Sequence, residues 1–198
     1  MEGLIIVENV PYRSPFGPID QLKEYFTNKH VYDLGCGSGD VSVYILKKFN
    51  PKSIRGICIE SERFAEQNKR YNMNFIGGDI LKIDFQKEKV DTYFMWIESP
   101  DTEIEVIKRN LRSKKKCTII VAYNVKANCS KNPNLEENYN SGCEFCRYLR
   151  CIQGKTEKLR RFLKSKNGTA FFEKDIQYND GNNCRQNGII KYFIINCP

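Results

Sequence analysis

The sequence predicts an α/β fold, a central seven-stranded mixed sheet with helices on both faces. Apolar runs of strand length alternate with helical patterns from about residue 30 to 124, a glycine-rich turn joins the first such run to the first helix, and two β-branched, aromatic runs close the chain. Consecutive βα units around a mostly parallel sheet leave that order in a sequence, and the last two runs add an antiparallel pair. The 198 residues, 40% of them hydrophobic, suit a single domain over 1–198. Within it, 1–29 form an N-terminal entrance segment and helix, 30–124 the βα core, and 125–198 a loop, a basic helix and a closing β-hairpin.

Each element has its own warrant. An amphipathic helix is expected over Ile19 to Phe26, ahead of a first strand at His30 to Leu34. Asp40 to Phe49 repeats apolar residues at Val41, Val43, Ile45, Leu46 and Phe49, carries a basic pair near its end, and is stopped by Pro51. Ile54 to Ile59 reads as the second strand, Glu62 to Tyr71 as a polar helix, Asn74 to Gly77 as the third strand and Val90 to Ile97 as a buried fourth. The next helix begins at Asp101, with Asp101 and Glu103 at its positive end and Lys108 and Arg109 towards its negative end. Cys117 to Tyr123 is the fifth strand. Lys126 to Ser141, Asn-rich with Pro133, reads as a long loop, and a helix within Glu144 to Lys166 is expected to break or kink near Gly154. Thr169 to Tyr178 and Ile189 to Ile195 form the closing pair, joined by a polar loop from Asn179 to Gly188.

Composition narrows the classes. Charged residues make up 28% of the chain, and no stretch approaches the roughly 18 consecutive apolar residues of a spanning helix. The start, MEGLIIVENVPYRS, has neither the basic opening nor the apolar run of a secretory signal, so an intracellular, cytoplasmic location is expected, with the nucleus also open. The nine cysteines are odd in number, and several sit in apolar or Gly-rich segments, which points to reduced, mostly buried thiols. His30 is the only histidine, so the chain has no histidine-based triad.

The first strand runs directly into Asp33-Leu34-Gly35-Cys36-Gly37-Ser38-Gly39-Asp40 and then into a helix. Glycines at 35, 37 and 39 permit a sharp turn and a closer approach of ligand to backbone than a Cβ allows. A dinucleotide fingerprint needs a third glycine where Asp40 stands, and a phosphate-cradling loop needs a Lys-Ser or Lys-Thr that is missing. Acids recur at the next strand ends. Glu60, followed by Ser61, lies 21 residues past the last glycine, and Asp79-Ile80 follows Gly77-Gly78. Each acid alone also reads as a turn or helix cap, but their recurrence at successive carboxyl ends of strands is where such sheets bind ligands.

The (D/E)-x-G-x-G-x-G pattern resembles the first motif of class I S-adenosylmethionine-dependent methyltransferases, over roughly residues 30 to 124. The resemblance implies a Rossmann-like class I methyltransferase fold and S-adenosyl-L-methionine as cofactor, with S-adenosyl-L-homocysteine as product. It implies cofactor contacts from Asp33, Gly35, Cys36, Gly37 and Gly39. Glu60 and Ser61 would lie at the ribose, Asp79 and Ile80 at the adenine, and Trp96 beside the reactive methyl group.

The acceptor is less defined. The fourth strand ends in Trp96-Ile97-Glu98-Ser99-Pro100, without the (D/N)-P-P-(Y/F) of amino-methylating enzymes and without the flanking lysines of ribose 2′-O enzymes. Pro11-Tyr12-Arg13-Ser14-Pro15 looks like the entrance segment of the small archaeal and mitochondrial broad-specificity protein-lysine methyltransferases. On that resemblance a protein lysine side chain is the favoured acceptor, with Tyr12, Trp96 and Tyr123 walling a channel and Glu98 orienting the amine or taking its proton through water.

Charge argues the other way. The net charge is +8, and its distribution is uneven: residues 1–124 carry 19 Lys/Arg against 17 Asp/Glu, residues 125–198 carry 13 against 7. Arg112 with Lys114 to Lys116, and the run from Lys155 to Lys166, form two basic patches suited to a nucleic-acid acceptor. A catalytically silent cofactor-binding subunit is a third reading. Finally, Cys129, Cys143, Cys146 and Cys151 include one CxxC, but spacings of 14, 3 and 5 residues match no zinc ribbon; free thiols are expected, with a four-thiolate zinc site as the alternative.

Overall fold

A computed structural model describes residues 16–37, 39–59, 74–85, 87–127, 144–166, 169–179 and 187–198. After the N-terminal helix α1 (Gly17–Asp20), the elements are β1 (His30–Leu34), α2 (Asp40–Phe49), β2 (Ser53–Cys58), β3 (Asn74–Gly77), β4 (Thr92–Met95), α3 (Pro100–Ser113), β5 (Cys117–Ala127), α4 (Glu144–Lys164), β6 (Ala170–Asn179) and β7 (Asn187–Cys197). The seven strands form one sheet in the order β3-β2-β1-β4-β5-β7-β6. Strands β1 to β5 pair in parallel, and β7 lies antiparallel between β5 and β6. The chain leaves β1 towards one edge and returns at β4 on its other side, which opens a crevice at the carboxyl ends of those two neighbours.

Period-two alternation divides the core. On β5, Ile120 and Ala122 join Ile19, Phe26, Phe49 and Phe94 on the face covered by α1 and α2. Ile119, Val121 and Tyr123 join Val106 and Ile107 of α3 and Ile152, Leu159 and Leu163 of α4 on the other. Each fully buried large side chain contributes about 1.5–3 kcal/mol, so both helical layers are held mainly by this burial. Capping is local: Gly39 and Asn50 take left-handed conformations at the two ends of α2, and Lys114 does so after α3.

Several boundaries differ from expectation. The segment 19–26 is not one amphipathic helix: α1 ends at Asp20 and a separate 3-10 turn covers Lys23–Tyr25, which suffices to bury Ile19, Leu22 and Phe26. Tyr44 and Lys48 of α2 each donate to the Asp20 carboxylate at 2.6 Å, tying the two elements together. Strand β2 stops before Ile59, which is 79% exposed, and β4 is shorter than predicted because its pairing with β5 ends at Met95 and Val121. Conversely, β5 continues through Lys126, placed in a loop by its sequence, because β7 pairs with it beyond a register shift between Asn124 and Lys126. The predicted loop from Asn179 to Gly188 is shortened at both ends by Asn179 and Asn187 entering the strands. Helix α4 runs unbroken through Gly154. The helix expected at 62–71 lies outside the described residues.

Candidate active site

The glycine turn sits at the crevice. Gly35, Gly37 and Gly39 have φ of +80°, +54° and +79°, the left-handed region that favours glycine. At Gly35 a Cβ would stand 1.9 Å from Ile97 Cγ2, so glycine there is what lets β1 and the end of β4 meet. At Gly37 no atom of the described residues lies within 4 Å of that position. The turn is anchored by the Gly35 and Cys36 N–H groups, which donate to the Ile57 carbonyl at 2.7 and 3.2 Å, and by Gly39 N–H donating to Cys36 O at 2.8 Å. The Cys36 side chain tucks towards Gly56, and burial pushes its thiol pKa up, so Cys36 packs under the turn as a protonated thiol.

Asp33 lies beneath the turn. It is 2% exposed and accepts a 2.6 Å hydrogen bond from the Ser42 hydroxyl at the start of α2, while burial raises its carboxyl pKa to about 6. At the tip of β3, Asp79 is exposed and caps the next turn, accepting from Leu81 N–H at 2.8 Å; Ile80 is buried. Glu60, Ser61, Ser38 and Tyr12 lie outside the described residues.

Beyond β4 the chain curls away from the sheet. Trp96 is half-buried, edge-on to Phe94 with ring centroids 6.5 Å apart. Glu98 adopts φ +53°, unusual for a residue with a Cβ and concentrated at functional sites. An open cleft of about 530 Å³ adjoins this corner, lined by Glu98, Ser99, Pro100 and Asp101 on one side and Cys151, Gly154, Lys155 and Lys158 of α4 on the other.

Tyr123 does not wall a channel. It is fully buried between β5 and α3, and its hydroxyl donates to the Glu103 carboxylate. Glu103, read from sequence only as a helix-end charge, is itself 0% exposed. Its signal was present: with Val106, Ile107 and Asn110 it occupies the buried stripe of α3. Among the basic residues, Arg160 is removed from any nucleic-acid surface, since it makes a bidentate pair with Glu173 at 2.6 and 2.8 Å. Lys115 turns to the Glu88 carbonyl at 3.1 Å. His30 bonds Ser53 through Nδ1 at 2.8 Å, away from the strand tips. Of the four tail cysteines, Cys151 is exposed at the cleft, Cys146 falls within α4, Cys129 and Cys143 lie outside the described residues, and no metal-ligating cluster occurs among the described residues.

A turn of three left-handed glycines at the switch point of a 3-2-1-4-5-7-6 sheet, with an acid beneath it, is the arrangement of a Rossmann-like fold that binds a nucleoside-type ligand at the carboxyl ends of its strands. The Methyltransferase domain family matches residues 26–175, and the chain belongs to that family. Among solved structures it resembles the methyltransferase domain of bacterial CtHen1, with a TM-score of 0.60, 16% identity and coverage of 91% of this chain and 95% of that one. M. capricolum TrmK in complex with S-adenosyl-homocysteine superposes with a TM-score of 0.56 at 15% identity, over 91% of this chain and 67% of that one. A tRNA (guanine-N(7)-)-methyltransferase of Porphyromonas gingivalis is 29% identical over 96 residues, 44% of this chain and 39% of that protein. A protein-lysine N-methyltransferase of Saccharolobus islandicus is 32% identical over 72 residues, 33% of this chain and 45% of that protein. The matches span less than half the length of these curated relatives.

Proposed function

We propose that the protein methylates RNA, held along the seam between α3 and α4. The observation that carries this reading is where the cations stand. Lys155 and Lys158 border the cleft beside the tip of β4, and Lys108 and Lys166, both stacked against the Phe162 ring at 5.7 and 5.5 Å, continue the band along the two helices. A sequence-independent grip on phosphates requires such a band, and a methyl-transfer site at its end makes it useful. Similarity to a tRNA methyltransferase supports the same reading.

In this reading the cofactor lies against the backbone of the turn formed by Gly35, Cys36, Gly37 and Gly39, whose shape is set by the hydrogen bonds of Gly35, Cys36 and Gly39 within the protein, with Asp33 bracing the turn from below through Ser42. Glu60 and Ser61 hold the ribose, and Asp79 with the Ile80 amide reads the adenine. When bound, the cofactor supplies an electrophilic methyl group on a sulfonium. The chain's part is then positioning: Trp96 flanks the entering acceptor, and Glu98 orients the attacking nitrogen and takes its proton through water, with Tyr12 given a part in holding the acceptor by the resemblance of its Pro-Tyr segment alone.

A second reading is methylation of a protein lysine, favoured by the Pro11-Tyr12 segment and by the lysine-methylating relative. Incubation with methyl-labelled cofactor and undermethylated cell extract, followed by nuclease or protease digestion, separates the two. Label lost to nuclease supports RNA; label lost to protease and recovered as methyl-lysine overturns it in favour of the second reading.

A further inference from the structure

The corner after β4 is held from behind by a group outside the glycine turn. Glu103 Oε1 accepts the Ser99 N–H at 3.1 Å, and Glu103 Oε2 accepts the Tyr123 hydroxyl. The Glu103 N–H in turn donates to the Ser99 carbonyl at 3.0 Å, so both backbone groups of Ser99 are fixed to this one residue. Ser99 Oγ adds a 3.0 Å bond to Thr102 Oγ1. The residue directly before this clamp is Glu98, at φ +53°, and Glu98, Ser99 and Pro100 form one wall of the cleft. A backbone held off its preferred region persists only where its surroundings over-determine it, and the Glu103 clamp is such a surrounding. A fully buried carboxyl group with two donors is otherwise an expensive way to start a helix.

We infer that Glu103 is a positioning residue for methyl transfer: by gripping Ser99 from below and Tyr123 from β5, it fixes the Glu98 corner at the acceptor side of the site. It touches neither cofactor nor acceptor and acts through Glu98. The inference rests on the proposed place of Glu98 beside the acceptor, and is independent of whether that acceptor is RNA or protein. Its geometry also carries a pH signature. The groups facing Glu103 are Tyr123 of β5, Glu98 of the corner and Lys155 of α4, and burial among them raises its carboxyl pKa to about 7. Both clamp bonds are strongest to the carboxylate, so the corner loosens as pH falls through that value.

The test is turnover with methyl-labelled S-adenosylmethionine and undermethylated cell extract, which offers RNA and protein together, alongside direct titration of cofactor affinity. Glu103→Leu is expected to reduce turnover by roughly tenfold or more while cofactor affinity stays within about twofold, since misplacement of a positioning group acts on the transfer geometry. Glu103→Gln can accept from Ser99 N–H and donate to the Tyr123 oxygen without titrating. It is expected to retain most activity and to lose the fall in kcat below about pH 7 that is expected of the wild type. Tyr123→Phe removes one bond only and keeps the test alive if Glu103→Leu does not fold; it is expected to lower kcat by a few-fold, without changing cofactor affinity. Equal loss of turnover and cofactor affinity in these variants, or an unchanged acid limb in Glu103→Gln, overturns the inference. Glu98→Gln separates the two claims: full activity there removes Glu98 from the chemistry and overturns the route through it, whereas reduced turnover there with full activity in Glu103→Leu keeps Glu98 and overturns Glu103 alone.

Discussion

Burial of Asp33 beneath the glycine turn raises its carboxyl pKa from 3.8 to about 6, because desolvation outweighs the hydrogen bond from Ser42. The folded chain therefore holds this proton longer than the unfolded chain does. Below about pH 4 both states are protonated and the group costs nothing; between about 4 and 6 the unfolded state alone ionises, and stability falls as pH rises. Asp33→Asn is expected to remove that dependence and to stabilise the cofactor-free protein at pH 7 by about 2–3 kcal/mol, the equivalent of two pKa units. Denaturant melts of both proteins at pH 4 and pH 7 check it, and a wild type equally stable at both values, relative to the variant, sinks it. Tyr192 is a simpler case of a polar atom out of water. Its hydroxyl is fully buried without a hydrogen-bond partner among the described residues, so Tyr192→Phe is expected to leave the fold intact and raise its stability by about 1 kcal/mol in the same melts.

At the scale of elements, α4 shows how packing overrides a local breaker. Gly154 weakens a helix interior, yet Ile152, Thr156, Leu159 and Leu163 recur at helical spacing on both sides of it and are all buried. Their contact with β5, β7 and α3 keeps the helix continuous. Gly154 is exposed, and a Cβ there meets no atom of the described residues within 4 Å, so Gly154→Ala is expected to stabilise the protein by about 0.5–1 kcal/mol, read as a rise of about 1–4 °C in Tm. The same contrast explains what the sequence revealed and what it withheld. The bounds of β1, α2 and β3 were legible because glycine, proline and the apolar period are local signals. The true ends of β4, β5 and β7 depend on how far strands distant in sequence keep pairing, and no local signal carries that. The glycine turn was legible for the same local reason. Glu103 was read only as a helix-end charge: its place on the buried stripe of α3 is a local signal, but the partner that makes its burial tolerable, Tyr123, lies across the core on β5.

At the scale of the whole molecule, net charge overstates the surface available to a polyanion. Of the basic residues in the last third, Arg160 is spent on Glu173, Lys191 bonds both Glu173 and Asp175 at 3.2 and 2.6 Å, and Lys174 donates to the Gln21 carbonyl at 3.0 Å. These cations fasten β6 and β7 to their neighbours. Lys155, Lys164 and Lys166 remain on the α4 side, with Lys158 paired to the well-exposed Asp101 at 2.6 Å, an ion pair that exchanges readily with phosphate. Anisotropy titrations of unmodified tRNA at several salt concentrations tell the two groups apart. Each phosphate contact contributes about 0.7–0.9 to the slope of log affinity against log salt, so replacing Lys155, Lys164 and Lys166 together by alanine is expected to lower that slope by about 2–3. Arg160→Ala is expected to leave the slope unchanged and to lower the melting temperature instead, because its partner Glu173 is left without its main cation. A slope that falls in Arg160→Ala but not in the triple variant places the RNA over the β6–β7 edge and away from the cleft at β4.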